Sequence, residues 1–304
     1  MTNRYSTPQA FKTALEERLR TEASKTGTDM GRLRQLLVFD RCLARLSAVF
    51  KDAIILKGGL ALELRLEQAR TTKDIDLRIV GNLNQTLLRL QEAGQMDLGD
   101  YLTFEIQAHA DQPDIEGPGT IYGGERFWAQ AFMAGKIYAA SFGIDVAFAE
   151  PIIGTPDTIL GSTFLKFAGI EPVSLRIYPL ETHIAEKIHA YTVPRAGFPN
   201  SRVKDLPDIA LLASIRTISS KTLRSAIEQT FKHRQTHPVP TSVPAPSAAW
   251  TPVYARMAEQ DSLPWKTLDM LYEAASGFLN PILGESSDEE RHWSPDHWAW
   301  SAVP

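Results

Sequence analysis

The sequence predicts an α/β (α+β) protein: a mixed β-sheet flanked by helices, followed by a helical C-terminal part. Three observations carry this expectation. Short apolar runs suited to buried strands alternate with helical stretches as far as Phe148. After Pro179 the pattern turns helical, at Glu181–Tyr191, Asp205–Ile215 and Lys221–Lys232. Hydrophobic residues make up 43% and charged residues 22% of the chain, the balance of a globular protein able to fill a core.

The elements follow in order. Ser6-Thr7-Pro8 reads as a helix start, a hydroxyl cap with proline in the first turn. Phe11, Leu15 and Leu19 then recur at helical spacing. A second helix is expected from Asp29 to Phe50, with Leu33, Leu36, Leu37, Leu43, Leu46 and Phe50 on one stripe. Ala53–Leu56 is a short buried strand, interrupted by Lys57-Gly58-Gly59. Leu60–Glu67 reads as a helix, and Thr71–Val80 as a turn entering a strand. Further strands are expected at Tyr101–Ala108, Arg126–Phe132 and Phe142–Phe148. The Gly-, Pro- and Asp-rich stretch from Asp111 to Gly124 reads as a loop. His237 to Pro252 holds five prolines and reads as a linker or extended surface segment. Trp265–Phe278 reads as a last helix, and the tail from Glu285 is acidic, then aromatic. The expected division is residues 1–170, the sheet domain with its N-terminal helices, and residues 171–304, a helical domain carrying the Pro-rich segment and the Trp-rich tail.

Bulk properties exclude several function classes. A net charge of −4 does not fit a globally basic nucleic-acid binder, so any positive patch must be local. A lone cysteine, Cys42, forms no intrachain disulfide and no cysteine-rich zinc site. Met1–Arg20 lacks the apolar core of a signal peptide, and no apolar run is long enough to span a membrane. The expectation is a cytoplasmic protein with no membrane contact.

The chemistry concentrates in Lys57-Gly58-Gly59 and Asp74-Ile75-Asp76. Side chains on a strand alternate between faces, so Asp74, Asp76 and Arg78 share one face while Ile75, Leu77 and Ile79 share the other. Two like charges side by side repel unless a cation sits between them. Mg²⁺ takes hard oxygen ligands, commonly one or two carboxylates plus substrate phosphate. Between strand and helix, the glycine pair lets a phosphate approach backbone amides at a helix N-terminus. The closing Gly-Lys-Ser/Thr of a Walker A loop is absent. An ordinary turn and a solvated strand face would explain either piece alone; their joint occurrence is more specific.

A helix-leading Gly-Gly followed by Asp-x-Asp between apolar residues resembles the signature of the polymerase-β-like nucleotidyltransferase superfamily. Fourteen residues separate Gly59 from Asp74, a long interval for that group. More narrowly, Lys57-Gly58-Gly59-Leu60-Ala61-Leu62 with Arg70-x-Thr72-x-Asp74-Ile75-Asp76-Leu77 resembles the AbiEii/AbiGii toxin family. Leu60 and Thr72 stand where that family more often has Thr and Ser. A second block carries the likeness: Pro179 to Ala190, containing Glu186-Lys187, then Arg202-Val203-Lys204-Asp205-Leu206-Pro207-Asp208.

The resemblance implies a nucleotidyltransferase fold and transfer of NMP from an NTP to an acceptor hydroxyl. Mg²⁺ (or Mn²⁺) would sit on Asp74, Asp76 and a third acid. Asp145, alone between Ile144 and Val146, is the best candidate for that acid, as ligand or general base, with Glu105 its rival. Lys57, Gly58, Gly59, Thr72 and Lys187 would hold the triphosphate, and Asp205 or Asp208 would orient Lys187 or border the cleft. Asp205 also suits a helix N-cap, and Lys187 a solvated surface. His183 and His189 are taken as non-catalytic. Arg195, Arg202, Lys204, Lys221, Arg224, Lys232 and Arg234 bias the helical part towards basic charge. The implied acceptor is a tRNA 3′ end, and the implied role that of a toxin in a type IV toxin–antitoxin or phage-defence system, neutralised by a cognate antitoxin. Two other readings stand beside it: an enzyme that adenylylates protein side chains, and a non-catalytic NTP-binding protein acting through partners and its tail.

Overall fold

Period-two burial builds a mixed sheet. The computed structural model describes residues 5–66, 71–80, 85–110, 124–148, 151–195, 202–284 and 289–302. The strands are β1 (Ile54–Lys57), β2 (Ile75–Ile79), β3 (Leu102–Ala108), β4 (Gly124–Met133), β5 (Lys136–Ile137), β6 (Phe142–Phe148), β7 (Asp157–Leu160) and β8 (Ser174–Ile177). They run in the order β3-β4-β6-β2-β1-β8-β7, with β5 beside β4. The β2–β6 and β1–β8 pairs are parallel and the others antiparallel. Along β2, β3 and β6, alternate residues such as Ile75, Leu77, Phe104, Ile144 and Val146 are fully buried. These apolar faces all turn the same way, because a one-residue slip in any pairing would expose them.

Helices cover that apolar face. They are α1 (Pro8–Thr26), α2 (Met30–Phe50) and, after the sheet has begun, α4 (Thr86–Gln95); the short α3 (Gly58–Arg65) links β1 to β2. The Thr7 hydroxyl accepts from the Ala10 amide at 3.2 Å and Asp29 Oδ1 from the Arg32 amide at 2.9 Å, so both leading helices carry side-chain caps. Phe11, Leu15, Leu19, Leu37 and Leu46 join the sheet residues in one core. Arg41 and Arg45 of α2 are buried within it because both reach Asp100, at 2.7 and 2.6 Å. The sequence reading assigned no helix to 86–95, where Leu87, Leu88 and Leu90 stand among Gln and Gly; packing against β3 and α2 secures it.

The C-terminal part has a second core. It comprises α5 (Leu180–Thr192), α6 (Asp205–Ala213), α7 (Ser220–Arg234), α8 (Thr251–Gln260) and α9 (Leu268–Leu283), with a small sheet of β9 (Ile218–Ser219), β10 (Arg291–Ser294) and β11 (Ala299–Ala302). Strand β8 lies beyond the boundary expected at residue 170, yet it pairs with β1 in the large sheet. The Pro-rich stretch is not a surface linker, because Val243 and Trp250 are buried in the second core. It is non-helical only to Ser247, and Pro252 enters the first turn of α8, where its missing amide costs nothing. The last helix starts at Leu268, three residues later than expected, where Thr267 caps it. Of the loop expected from Asp111 to Gly124, residues 111–123 lie outside the described residues and Gly124 instead opens β4; residues 285–288, where the tail begins, also lie outside them.

The aromatic tail is a hairpin laid on α9. Indole N–H groups of Trp293, Trp298 and Trp300 donate to the carbonyls of Ala213, Ala274 and Phe278 at 2.8, 3.1 and 2.7 Å. Trp293 is completely buried, with its ring centroid 4.8 Å from that of Phe278. Among the described residues no helix is long and apolar enough to cross a membrane.

Because Trp293 fills the interior between α6 and α9, Trp293→Ala is expected to cost about 3–5 kcal/mol in urea unfolding. A cost below about 1 kcal/mol would mean the hairpin is an appendage rather than part of this core.

Candidate active site

β1 ends at Lys57, and the chain turns there directly into α3. Gly58 adopts φ +66°, a left-handed conformation that strains any side chain. A Cβ at Gly58 would stand only 1.9 Å from Asp76 Oδ2. Both facts require glycine, and both follow from register: Lys57 pairs with Asp76 across β1 and β2, which sets the carboxylate against the first turn of α3. First-turn amides have no acceptors within their own helix, and no side chain caps α3. That turn, with Gly59 buried in it, suits an anionic oxygen.

The sheet brings the other carboxylates alongside. Asp76 pairs with Asp145 across parallel β2 and β6. Asp74, just before β2, accepts from the Gly143 amide at 3.2 Å, and a Cβ on Gly143 would meet Asp74 Oδ1 at 2.9 Å. All three lie on the face turned away from α1, α2 and α4. Burial and the neighbouring Asp145 push the Asp76 carboxyl up to about 6, against the opposing pull of Lys57 and Lys187. Glu105, the rival third acid, lies exposed on β3, with β4 between it and β6.

Each charge around this centre is held by another. Arg126 on β4 donates from Nε and Nη2 to the two oxygens of Asp145 at 2.8 and 2.9 Å. Lys187 on α5 lies 3.0 Å from Asp205 Oδ1 and 2.8 Å from Asp208 Oδ2, both aspartates being buried on α6. Asp205 is the first residue of α6 rather than its cap, which falls on Lys204. Lys57 Nζ is 3.3 Å from Glu186 Oε2 and lies over the Tyr178 ring. Glu186 also meets Arg234 at 3.8 Å. Thr72 is buried; its amide donates to Glu63 at 3.3 Å and its carbonyl accepts from Arg32 at 2.7 Å, which ties the approach to Asp74 to α3 and α2. His183, one turn before Lys187, is buried, neither ring nitrogen has a hydrogen-bond partner among the described residues, and burial lowers it to about 3, so it is neutral.

The structure therefore gathers Lys57, Gly58, Gly59, Asp74, Asp76 and Asp145 with Lys187 and its two aspartates. Sequence reasoning gave no role to Arg126, Glu186 or the Arg32–Glu63 pair. The outward alternation of Arg126, Trp128 and Gln130 on one strand was a usable signal for the first; the others depend on packing between helices.

A divalent cation fits this donor set. Asp74 and Asp76 offer hard oxygens, and burial of a repelling cluster favours neutralisation by a cation. Asp145 retains lone pairs beyond those engaged by Arg126, since a carboxylate accepts about four hydrogen bonds. Among the described residues no three acidic, His or Cys side chains make a complete metal site by themselves. Completion by substrate phosphate is the usual arrangement for Mg²⁺.

Residues 41–274 match the family profile described as nucleotidyl transferase AbiEii toxin, type IV TA system. Among solved structures, the chain is similar to MenT4, a nucleotidyltransferase toxin from Mycobacterium tuberculosis H37Rv. That match has a TM-score of 0.57 at 14% identity, over 93% of this chain and 92% of that one. It also matches JHP933 from Helicobacter pylori, with a TM-score of 0.40 at 16% identity, over 66% of this chain and 74% of that one. No curated protein matches the chain.

The raised Asp76 sets a pH dependence for the metal-free protein. An acid raised on folding contributes stability that is full below its ordinary value near 3.8 and is lost as pH rises through about 6. Without divalent cations, Asp76→Asn is expected to melt several degrees higher than the parent above pH 7, the gap closing below pH 4. A gap independent of pH would show that Asp76 is not desolvated. Gly58→Ala is expected to destabilise by about 1–3 kcal/mol through φ strain alone, and to abolish activity by displacing Asp76.

Proposed function

The chain belongs to the AbiEii family of nucleotidyltransferase toxins of type IV toxin–antitoxin systems, and from that premise we propose that it transfers NMP from an NTP, with Mg²⁺ (or Mn²⁺), to the 3′ hydroxyl of a tRNA. The observation that carries this reading is the pairing of Asp76 with Asp145 beside Asp74, directly against the glycine that opens α3. Asp74, Asp76 and Asp145 would hold the metal, which when bound neutralises phosphate charge and lowers the pKa of an oxygen attached to it.

The protein's own groups do the rest. The first-turn amides of α3 and the ammonium groups of Lys57 and Lys187 face the triphosphate and offset its charge. Asp205 and Asp208 hold the Lys187 ammonium in place before substrate arrives, so little reorganisation is needed when charge develops. The acceptor oxygen attacks the α-phosphorus as the bond to the β-phosphate bridging oxygen breaks. The hydroxyl proton passes to a carboxylate of the cluster, and pyrophosphate leaves. The family implies an antitoxin that counters this activity, and the use of NTP and tRNA suits a protein acting in the cytoplasm. The Trp-rich tail belongs to the folded core, which removes the ground for a binding protein that acts through a free tail.

Purified protein incubated with each α-³²P-labelled NTP, Mg²⁺ and total tRNA is expected to label tRNA with a preferred nucleotide. Asp76→Asn is expected to lower the rate by more than ~10²-fold and to relieve growth arrest on expression, while its circular dichroism stays that of the parent. Label on protein instead of RNA would establish the adenylylating reading. A fully active Asp76→Asn would sink the carboxylate mechanism.

A further inference from the structure

Trp128 is the one large aromatic side chain among the described residues that stands well exposed, at 39%. It is not surplus core. On β4, Phe127 and Ala129 are buried in the sheet's helix-covered face, so Trp128 lies on the opposite face with Arg126 and Gln130. That is the face of the carboxylates. Its partner on β6 is Gly143, the residue whose amide donates to Asp74. Since Gly143 has no side chain, none intervenes in the sheet between the indole and Asp74. The backbones of β4 and β2 are two strand spacings apart, about 10 Å, and the side chains shorten that gap. His109 meets the indole edge to face, at 6.0 Å and 88°, and Gln107 presents an exposed amide across β3.

The two flanks of the carboxylates differ in chemistry. On the β1 side stand Lys57, Lys187 and the open first turn of α3, all suited to phosphate. On the β4 side the cation, Arg126, is gripped by Asp145, and the surface carries the indole, the amides of Gln107 and Gln130, and the exposed carboxylate of Glu105. The triphosphate is thus drawn to the first flank, which leaves the second to whatever brings the attacking hydroxyl. An exposed indole stacks any nucleobase, largely without regard to its identity, and this is a recurrent way to hold single-stranded RNA.

We propose that Trp128 is the stacking platform for the 3′-terminal base of a single-stranded RNA acceptor, placing its terminal hydroxyl towards Asp74 and Asp76. The proposal rests on the reading that the acceptor is RNA. Trp128 is a positioning residue in this role.

The test uses the full chain and a short single-stranded RNA carrying either an intact or an abasic 3′-terminal nucleotide. Trp128→Ala is expected to weaken binding of the intact RNA, and to raise its KM, by roughly 10-fold. Trp128→Phe is expected to restore most of that loss. The abasic RNA is expected to bind parent and Trp128→Ala alike, and KM for the NTP to stay unchanged. Because the indole is exposed, the variants should keep the parent's melting temperature. Intact RNA bound by Trp128→Ala as tightly as by the parent would overturn the platform alone, as would a loss that falls on KM for the NTP. A parent protein that labels no RNA with any NTP would overturn the RNA acceptor, and the platform with it.

Discussion

The close approach of Gly58 to the Asp76 carboxylate is the contact on which the site depends. A Cβ at Gly58 would lie within bonding distance of Asp76 Oδ2, so the helix can begin here only because the side chain is missing. The left-handed turn at Gly58 ends β1 and starts α3 in a single residue. Residues of α3 then enter two cores: Leu60 and Ala61 pack with the sheet, and Leu62 with the C-terminal helices. One short helix therefore positions the carboxylates, offers free amides beside them, and joins the two halves that border the cleft.

Charge is arranged around that contact in graded fashion. Arg126 compensates Asp145, while burial first and the neighbouring Asp145 second raise Asp76 against the pull of Lys57 and Lys187. Each nearby cation is restrained by acids of its own: Lys187 by Asp205 and Asp208, Lys57 by Glu186. A buried ammonium without such partners would cost several kcal/mol to desolvate. The same pairs fix the cations in space, which is what preorganised stabilisation of a highly charged substrate needs. Since Glu186 and Lys187 are consecutive on α5, the orientation of one helix controls both contacts.

Stability away from the cleft is more conventional. Caps at Thr7, Asp29 and Thr267 satisfy helix N-termini, and the tail hairpin closes the second core by burying Trp293 and matching each indole N–H to a carbonyl. Buried aromatic rings with satisfied N–H groups combine large apolar burial with specific geometry. The tail thus acts as a structural clasp on α9.

Local pattern alone determined much of this. The alternation Ile75, Leu77, Ile79 against Asp76 and Arg78 was legible because a strand's faces alternate whatever surrounds it. The cap of α1 and the apolar stripes of α1, α2 and α5 were legible because helix periodicity and first-turn chemistry are local. The Gly-Gly before an apolar helix marked a special turn, and the motif blocks around it pointed to the nucleotidyltransferase toxins. What only the tertiary structure decided is everything set by pairing between distant segments. The order β4-β6-β2-β1, the meeting of Asp76 with Asp145, the grip of Arg126 and the exposure of Trp128 all depend on register between strands far apart in the chain. The short strands β7, β8, β9 and the tail hairpin have too few residues to show a period, and the buried stripe of α4 (Thr86, Leu90, Ala93 and Gly94) has helical spacing but a single large apolar residue; each exists because a neighbour satisfies its backbone or buries its face. Side chains declare their own preferences in sequence, but the partner that makes a preference useful is chosen by the fold.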